Sequence, residues 1–312
     1  MLNIIFAGTP EFAVPALQAL LQGKHRVVAV YTQPDRPAGR GRKLQASSVK
    51  SCALEHRLPV YQLPNFKSAE ALEQLVELQA DIMVVAAYGL LLPPEVLAAP
   101  RLGCINIHAS LLPRWRGASP IQQAILAGDD YSGVTLMKME PGLDSGAIIA
   151  SRRIEIDAGW SAGDLHDALA PLGAELLTES LDDIEAALQQ ARAQDEALVT
   201  YAPRLLKQQA EIDWEKPLGQ LLREVRGFNP WPVSFSYLDD QNLRVWRARA
   251  GGDQTAGQPG EVVLHDKNGV YVQCGDGLLQ ITELQFAGRN RCDAAQALNA
   301  RNLSACRLGA AS

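Results

Sequence analysis

Through roughly its first 150 residues the chain alternates short β-branched runs with longer amphipathic ones, a pattern that commits it to layered strand and helix. The short runs are Asn3–Ala7, Arg26–Tyr31, Asp81–Ala87 and Cys104–Ile107, and the helical patterns between them are Pro10–Gln22, Ser47–Arg57 and Ser68–Leu78. Apolar strands separated by helices predict a doubly wound, largely parallel α/β sheet covered on both faces. Ligands of such sheets bind beyond the carboxyl ends of the strands. Two strand ends here lead into candidate chemistry: Val84–Tyr88 runs into Gly89, and Ile105–Ile107 into His108.

The chain has 312 residues, more than one typical core needs and suited to two domains. A long helix is predicted from Ser161 to Gln190. Asp195–Lys207 keeps no sustained period, holds Pro203 and reads as a linker, which sets the domains at 1–194 and 208–312. Beyond it, a helix at Leu218–Gly227 precedes short strands at Val233–Tyr237, Leu243–Ala248, Gly260–Leu264, Val270–Gln273 and Leu278–Leu284. Strands at that spacing, punctuated by Gly, Asp and Asn, predict a small C-terminal β-barrel, OB-like in kind.

Composition narrows the function classes. Hydrophobic residues at 47% and charged residues at 21% describe a globular chain with no disorder signature. No apolar stretch reaches the ~18 residues that cross a bilayer, and the apolar start lacks a basic segment and cleavage site. A soluble, cytoplasmic protein with no membrane partner is therefore expected. Cys52, Cys104, Cys274, Cys292 and Cys306 show no C-x-x-C spacing, which argues against a zinc site or disulfide framework, and no metal is expected. The net charge of −6 does not advertise a nucleic-acid binder. Residues 207–312 nevertheless balance at 12 basic and 12 acidic residues, and a local basic patch suffices for binding RNA.

The first strand-to-helix turn, F-A-G-T-P-E-F-A, has Gly8 alone where a dinucleotide loop needs G-x-G-x-x-G, which argues against a nicotinamide or flavin enzyme. The most informative segment runs from Asn106 to Gly117, N-I-H-A-S-L-L-P-R-W-R-G. Asn106 and His108 stand two apart at a strand end, so their side chains leave on one face. An amide donor beside an imidazole suits acyl transfer, one stabilising oxyanion charge and the other handling protons. Taken alone, the pair also describes a structural histidine, and Asp144 in M-E-P-G-L-D-S-G also describes a turn aspartate. Within reach of His108, that carboxylate would orient the ring.

Taken together, these segments resemble the folate-dependent formyltransferases. N-I-H-A-S-L-L-P followed by Asp144 in G-L-D-S-G is that family's pattern. F-A-G-T-P-E-F-A, Q-P-D-R-P-A-G-R-G-R-K, V-V-A-A-Y-G-L-L-L-P, P-R-W-R-G-A-S-P-I-Q and F-N-P-W-P narrow the resemblance to the branch that acts on aminoacylated tRNA. It implies a Rossmann-like catalytic domain in which Asn106, His108 and Asp144 form the catalytic trio. Ser110, Leu111, Leu112 and Pro113 would line the folate site. Val85, Ala86, Tyr88, Gly89 and Leu90 would hold the pterin by backbone hydrogen bonds and apolar contact. The implied formyl donor is 10-formyltetrahydrofolate, and the implied acceptor is the amino group of methionine on initiator tRNA. The alternative acceptor is a small amine such as an amino sugar nucleotide or ribonucleotide.

The same resemblance gives Asp35–Lys43 an RNA-contacting role, with Arg36, Arg40, Arg42 and Lys43 on phosphates and bases and Gly39 and Gly41 allowing close backbone approach. Lys207, with Arg244, Arg247 and Arg249, could track phosphates, although strict strand alternation does not put those three arginines on one face. A monomer is expected.

Overall fold

The computed structural model describes residues 1–38, 43–252 and 257–309. By contact the chain divides into two units. The first comprises Met1–Pro120, Tyr131–Glu155 and His166–Ala202; the second comprises Ile121–Asp130, Ile156–Leu165 and Pro203–Ser312.

The first unit is built on a seven-stranded sheet. Its strands are β1 (Asn3–Gly8), β2 (Arg26–Tyr31), β5 (Val60–Tyr61), β6 (Ile82–Ala86), β7 (Cys104–His108), β9 (Tyr131–Lys138) and β10 (Ile148–Glu155). The order is β10-β9-β7-β6-β1-β2-β5, with β3 (Arg36–Ala38) and β4 (Lys43–Gln45) forming a separate hairpin. The five strands from β5 to β7 run parallel, as their apolar, doubly buried sequences predict. The β9–β10 hairpin then extends the sheet antiparallel from β7. Ile4, Ile5, Phe6, Ile82, Met83, Ile105 and Leu136 form the fully buried middle layer.

Local chemistry sets the helix starts. Ser47 caps α2 (Ser48–Glu55) by accepting from the Lys50 amide at 3.0 Å, and Ser68 caps α3 (Ala69–Glu77) by accepting from Ala71 at 3.2 Å. The first helix, α1 (Val14–Gln22), follows a 3-10 turn at Glu11–Ala13 and takes Pro15 in its opening turn, where a missing N–H costs nothing. The remaining helices beside this sheet are the short α4 (Pro94–Leu97) and, after α5 (Pro120–Ala127), α6 (Ala162–Leu181) and α7 (Ile184–Gln189). The single helix expected over Ser161–Gln190 is thus two, because Asp183 leaves the helical conformation and caps α7 through the Ala186 amide. Gly173 lets α6 lie against β7, since a Cβ there would stand 2.8 Å from Ile107 Cγ2. The stretch expected as a linker carries β11 (Tyr201–Ala202), which pairs in parallel with β8 (Arg116–Gly117).

The second unit holds α8 (Leu218–Gly227), then β12 (Phe235–Leu238), β13 (Gln241–Gly252), β14 (Val262–Asp266), β15 (Gly269–Gln273), β16 (Leu278–Phe286), β17 (Cys292–Asp293) and α9 (Ala294–Ala300). Its main sheet has the order β12-β13-β16-β15-β14 around a core of Val245, Val262, Val270, Val272, Leu279 and Ile281. Both edge strands meet the same late segment, through Tyr237↔Gly309 on one side and Glu261↔Arg307 on the other. That segment closes the sheet into a ring and leaves neither β12 nor β14 as an open edge. A bulge between Val245 and Arg247 corrects the expectation for the arginines. The extra residue restores phase, so Arg244, Arg247 and Arg249 are all exposed while Leu243 and Val245 stay buried. Among the described residues, no helix is long and apolar enough to cross a membrane.

Candidate active site

The site lies at the carboxyl end of β7, where the strand pattern places Asn106 and His108 on one face and burial leaves only slivers of each exposed. His108 Nε2 stands 2.9 Å from the Trp115 carbonyl, which can only accept, so Nε2 carries a proton. His108 Nδ1 then faces Asp144 Oδ2 at 3.7 Å. Trp115 reaches this position in the left-handed region, at φ 64°, a conformation that bulky residues rarely adopt. Its backbone is fixed from outside the loop, since its amide donates to Thr200 Oγ1 at 2.9 Å. Residues 113, 116 and 118 are tied to the same returning segment: Thr200 donates to the Pro113 carbonyl, Arg116 to Thr200, and Ala118 to Ala202. The Asn106 carboxamide has no hydrogen-bond partner among the described residues, so its donor is free for a ligand.

Between His108 and Trp115 the loop is held from β9. Thr135, fully buried and opposite His108, donates its hydroxyl to the Ser110 carbonyl at 2.7 Å and accepts from the Leu112 amide at 3.1 Å. Ser110 is itself buried and donates to the Arg114 carbonyl at 2.6 Å. Leu112 packs inward while Leu111 and Pro113 remain half-buried, so the loop presents an apolar rim beside the trio.

Asp144 follows the β9 strand in a tight turn at φ 50°, where an aspartate is tolerated better than most residues. Its carboxylate accepts from the Gly117 amide at 2.9 Å. Its carbonyl accepts from Gln194 Nε2 at 2.8 Å, and Gln194 Oε1 accepts in turn from Arg116 Nε at 2.9 Å. The trio, the Ser110–Pro113 rim and these supports all belong to the first unit.

The second strand end shows a different arrangement. Val85, Ala86 and Tyr88 turn their side chains into the core, and burial pushes the Tyr88 phenol above its ordinary pKa. Beyond β6 the chain turns through Ala87 and Gly89, both with positive φ, leaving the Gly89 backbone exposed and Leu90 half-buried. The Tyr88 carbonyl is occupied by Thr9 Oγ1 at 3.0 Å and Gln33 Nε2 at 3.3 Å. A ring ligand at this end would meet exposed main chain at Gly89 and the Leu90 side chain. Gly8 closes the floor, since a Cβ there would stand 2.8 Å from Ala13 Cβ.

Of the basic residues singled out for RNA, Arg36 is exposed on β3 and donates to Gln33 at 3.0 Å. The neighbouring Asp35 carboxyl sits below its usual range, chiefly through its hydrogen bond with Lys50 and then that with Gln62. The Lys43 backbone pairs with Ala38, whereas Gly39, Arg40, Gly41 and Arg42 lie outside the described residues. Lys207 is exposed in the second unit, as are Arg244, Arg247 and Arg249. Among the described residues, no group of three or more His, Cys, Asp or Glu stands close enough to hold a metal ion.

Comparison with known proteins decides the family. Residues 2–181 match Formyl transferase, and residues 204–302 match Formyl transferase, C-terminal domain. The chain belongs to the formyl transferase family. A methionyl-tRNA formyltransferase of Methylococcus capsulatus is 51% identical over 308 residues, covering 99% of this chain and 100% of the relative. One from Hahella chejuensis is 50% identical over 287 residues, 92% of this chain and 90% of the relative. Among solved structures, an N-formyltransferase from Helicobacter canadensis in complex with folinic acid and dTDP-3-aminofucose superposes with a TM-score of 0.66 at 18% identity. The match covers 93% of this chain and 100% of that one, and it speaks for the fold alone.

As a formyl transferase, the chain owes the geometry of its trio to residues that sequence reasoning passed over. Thr135, Gln194 and Thr200 each fix part of the loop that follows His108 or the Asp144 turn. Gln194 and Thr200 sit in a stretch with no periodicity and bind partners 50 and 85 positions away, so nothing local marks them.

Proposed function

We propose that this chain transfers the formyl group of 10-formyltetrahydrofolate to the free amino group of methionine esterified to initiator tRNA. The observation that carries this reading is an unpartnered Asn106 carboxamide beside His108 and Asp144, in a chain about half identical to relatives named for that reaction. The rim formed by Leu111, Pro113 and Leu90, with the open main chain at Gly89, fits a flat ring system recognised by apolar contact and backbone hydrogen bonds.

Formyl on the folate N10 is an activated amide, because the aryl-substituted nitrogen is a weakly basic leaving group. The amine attacks the formyl carbon directly, the carbonyl pair moves to oxygen, and one proton leaves the new ammonium. Collapse of the tetrahedral intermediate then breaks the bond to N10, which takes up a proton. Asn106 donates to the oxyanion, and with the Nε2 proton bound to the Trp115 carbonyl, the His108 nitrogen that faces the site is Nδ1. Asp144, 3.7 Å from that nitrogen, keeps the ring oriented and assists proton removal from the amine. Arg36, Arg40, Arg42 and Lys43 contact the tRNA acceptor end, and Lys207 tracks its phosphates. The enzyme works in the cytoplasm as a monomer.

The test is formyl transfer from 10-formyltetrahydrofolate to methionyl initiator tRNA, with methionyl elongator tRNA as control. Transfer favouring the initiator is expected; transfer to neither, with both substrates intact, refutes the tRNA reading and points to small amines. Asn106→Ala should slow single-turnover transfer by about 100–1000-fold. Arg40→Leu should weaken tRNA binding and formylation, and unchanged values for both would remove the loop from the tRNA site.

A further inference from the structure

Gln194 is buried, and both protons and the oxygen of its amide are engaged by the Asp144 turn and Arg116. Its two Nε2 protons go to two carbonyls, those of Asp144 and Gly146, each at 2.8 Å. Its oxygen accepts from Arg116 Nε at 2.9 Å. Carbonyls only accept and a guanidinium only donates, so the orientation of the amide is fixed by its partners. Arg116 is itself buried, and its far end is held by Glu196 at 2.8 Å. The next residue, Gly117, gives its amide to the Asp144 carboxylate at 2.9 Å. Asp144 is therefore gripped at both ends, main chain by Gln194 and side chain by Gly117, while it holds a left-handed conformation.

We propose that Gln194 is the positioning residue for Asp144: its amide, locked by Arg116, fixes the left-handed turn that aims the Asp144 carboxylate at His108. The inference rests on the reading of Asp144 given above. The decisive property is donation. Gln194 touches neither substrate nor reacting atoms in this arrangement, and acts through the turn alone.

Gln194→Glu separates this role from a merely structural one. The glutamate keeps the volume and the acceptor for Arg116, but its carboxylate cannot donate to the Asp144 and Gly146 carbonyls and repels both. A displacement of the turn approaching 1 Å costs on the order of 100-fold in rate. Single-turnover formyl transfer in the full-length variant should therefore fall by about 10–100-fold, with KM for folate and tRNA within about twofold of wild type. Hydrogen exchange at the Gly117 amide should speed up, while Arg116 and Ala118, held by Thr200 and Ala202, should exchange as before.

Asp144→Asn is measured alongside. If Asp144→Asn is slow while Gln194→Glu matches wild type in both rate and Gly117 exchange, the positioning role is refuted and the trio stands. If Asp144→Asn transfers formyl at the wild-type rate, the trio itself falls. A Gln194→Glu variant whose KM values rise in step with lost thermal stability, with kcat preserved, marks Gln194 as a packing residue and overturns the proposal.

Discussion

Thr135→Val tests how the Ser110–Pro113 rim, proposed above to meet the folate, is held. Valine matches threonine closely in shape, so the change removes two hydrogen bonds and little else. The Ser110 carbonyl and the Leu112 amide both lose their Thr135 partner in a fully buried setting. A buried polar group left unsatisfied costs about 1–3 kcal/mol, so the pair should cost about 2–6 kcal/mol. For a unit of this size, each kcal/mol moves the melting midpoint by about 2–4 °C, which puts the expected fall at roughly 4–24 °C. Thr135→Ser supplies the control: it keeps the hydroxyl and loses one buried methyl, for about 1 kcal/mol. Calorimetric melting of the three proteins gives the comparison, and initial rates against folate concentration give the functional side. The loosened Ser110–Pro113 rim should raise KM for the folate more than it lowers kcat. A valine variant that melts with the serine variant and keeps the wild-type KM would show that the hydroxyl does not hold the loop.

Two further outcomes are expected of the folded chain. Burial pushes the Cys104 thiol up to about 12, so the folded chain keeps a proton that the unfolded chain gives up near the ordinary thiol value. Its stabilising share is whole below that value and drains as pH climbs toward the folded one, at up to about 1.4 kcal/mol per pH unit. Urea midpoints measured between pH 8 and pH 10.5 should therefore fall more steeply for wild type than for Cys104→Ala, and parallel slopes would contradict the assignment. Dialysis of the enzyme against a chelator before assay should leave turnover unchanged, and lost turnover restored by a divalent metal would contradict the metal-free reading.

Much of the first unit could be read from residues because its signals are local. Ser47 and Ser68 sit one position before their helices, and strand periodicity brought Asn106 and His108 to one face. The antiparallel β9–β10 hairpin was not legible: β10 lies at the sheet edge, with a single bridge beyond it at Ile148, alternates exposed residues and lacks the apolar run of its neighbours. The bulge at Trp246 is likewise invisible to strict alternation, and it alone brings Arg244 into phase with Arg247. Two-residue strands such as β8 and β11 carry no period at all, so the segment that fixes the loop after His108 reads as a connector.

That returning segment also dictates when the site can exist. Synthesis delivers Asn106, His108 and Asp144 well before Gln194, which follows Asp144 by 50 positions, and Thr200, which follows Trp115 by 85. At elongation rates of about 5–20 residues per second, a nascent chain carries the trio for several seconds before its turn can be clamped. During that interval the parallel core can condense, yet the Trp115 amide lacks the Thr200 hydroxyl that accepts from it in the finished fold. A fragment released after α7 would hold every residue of the trio and lack the two contacts, from Gln194 and Thr200, that close the loop and turn around it.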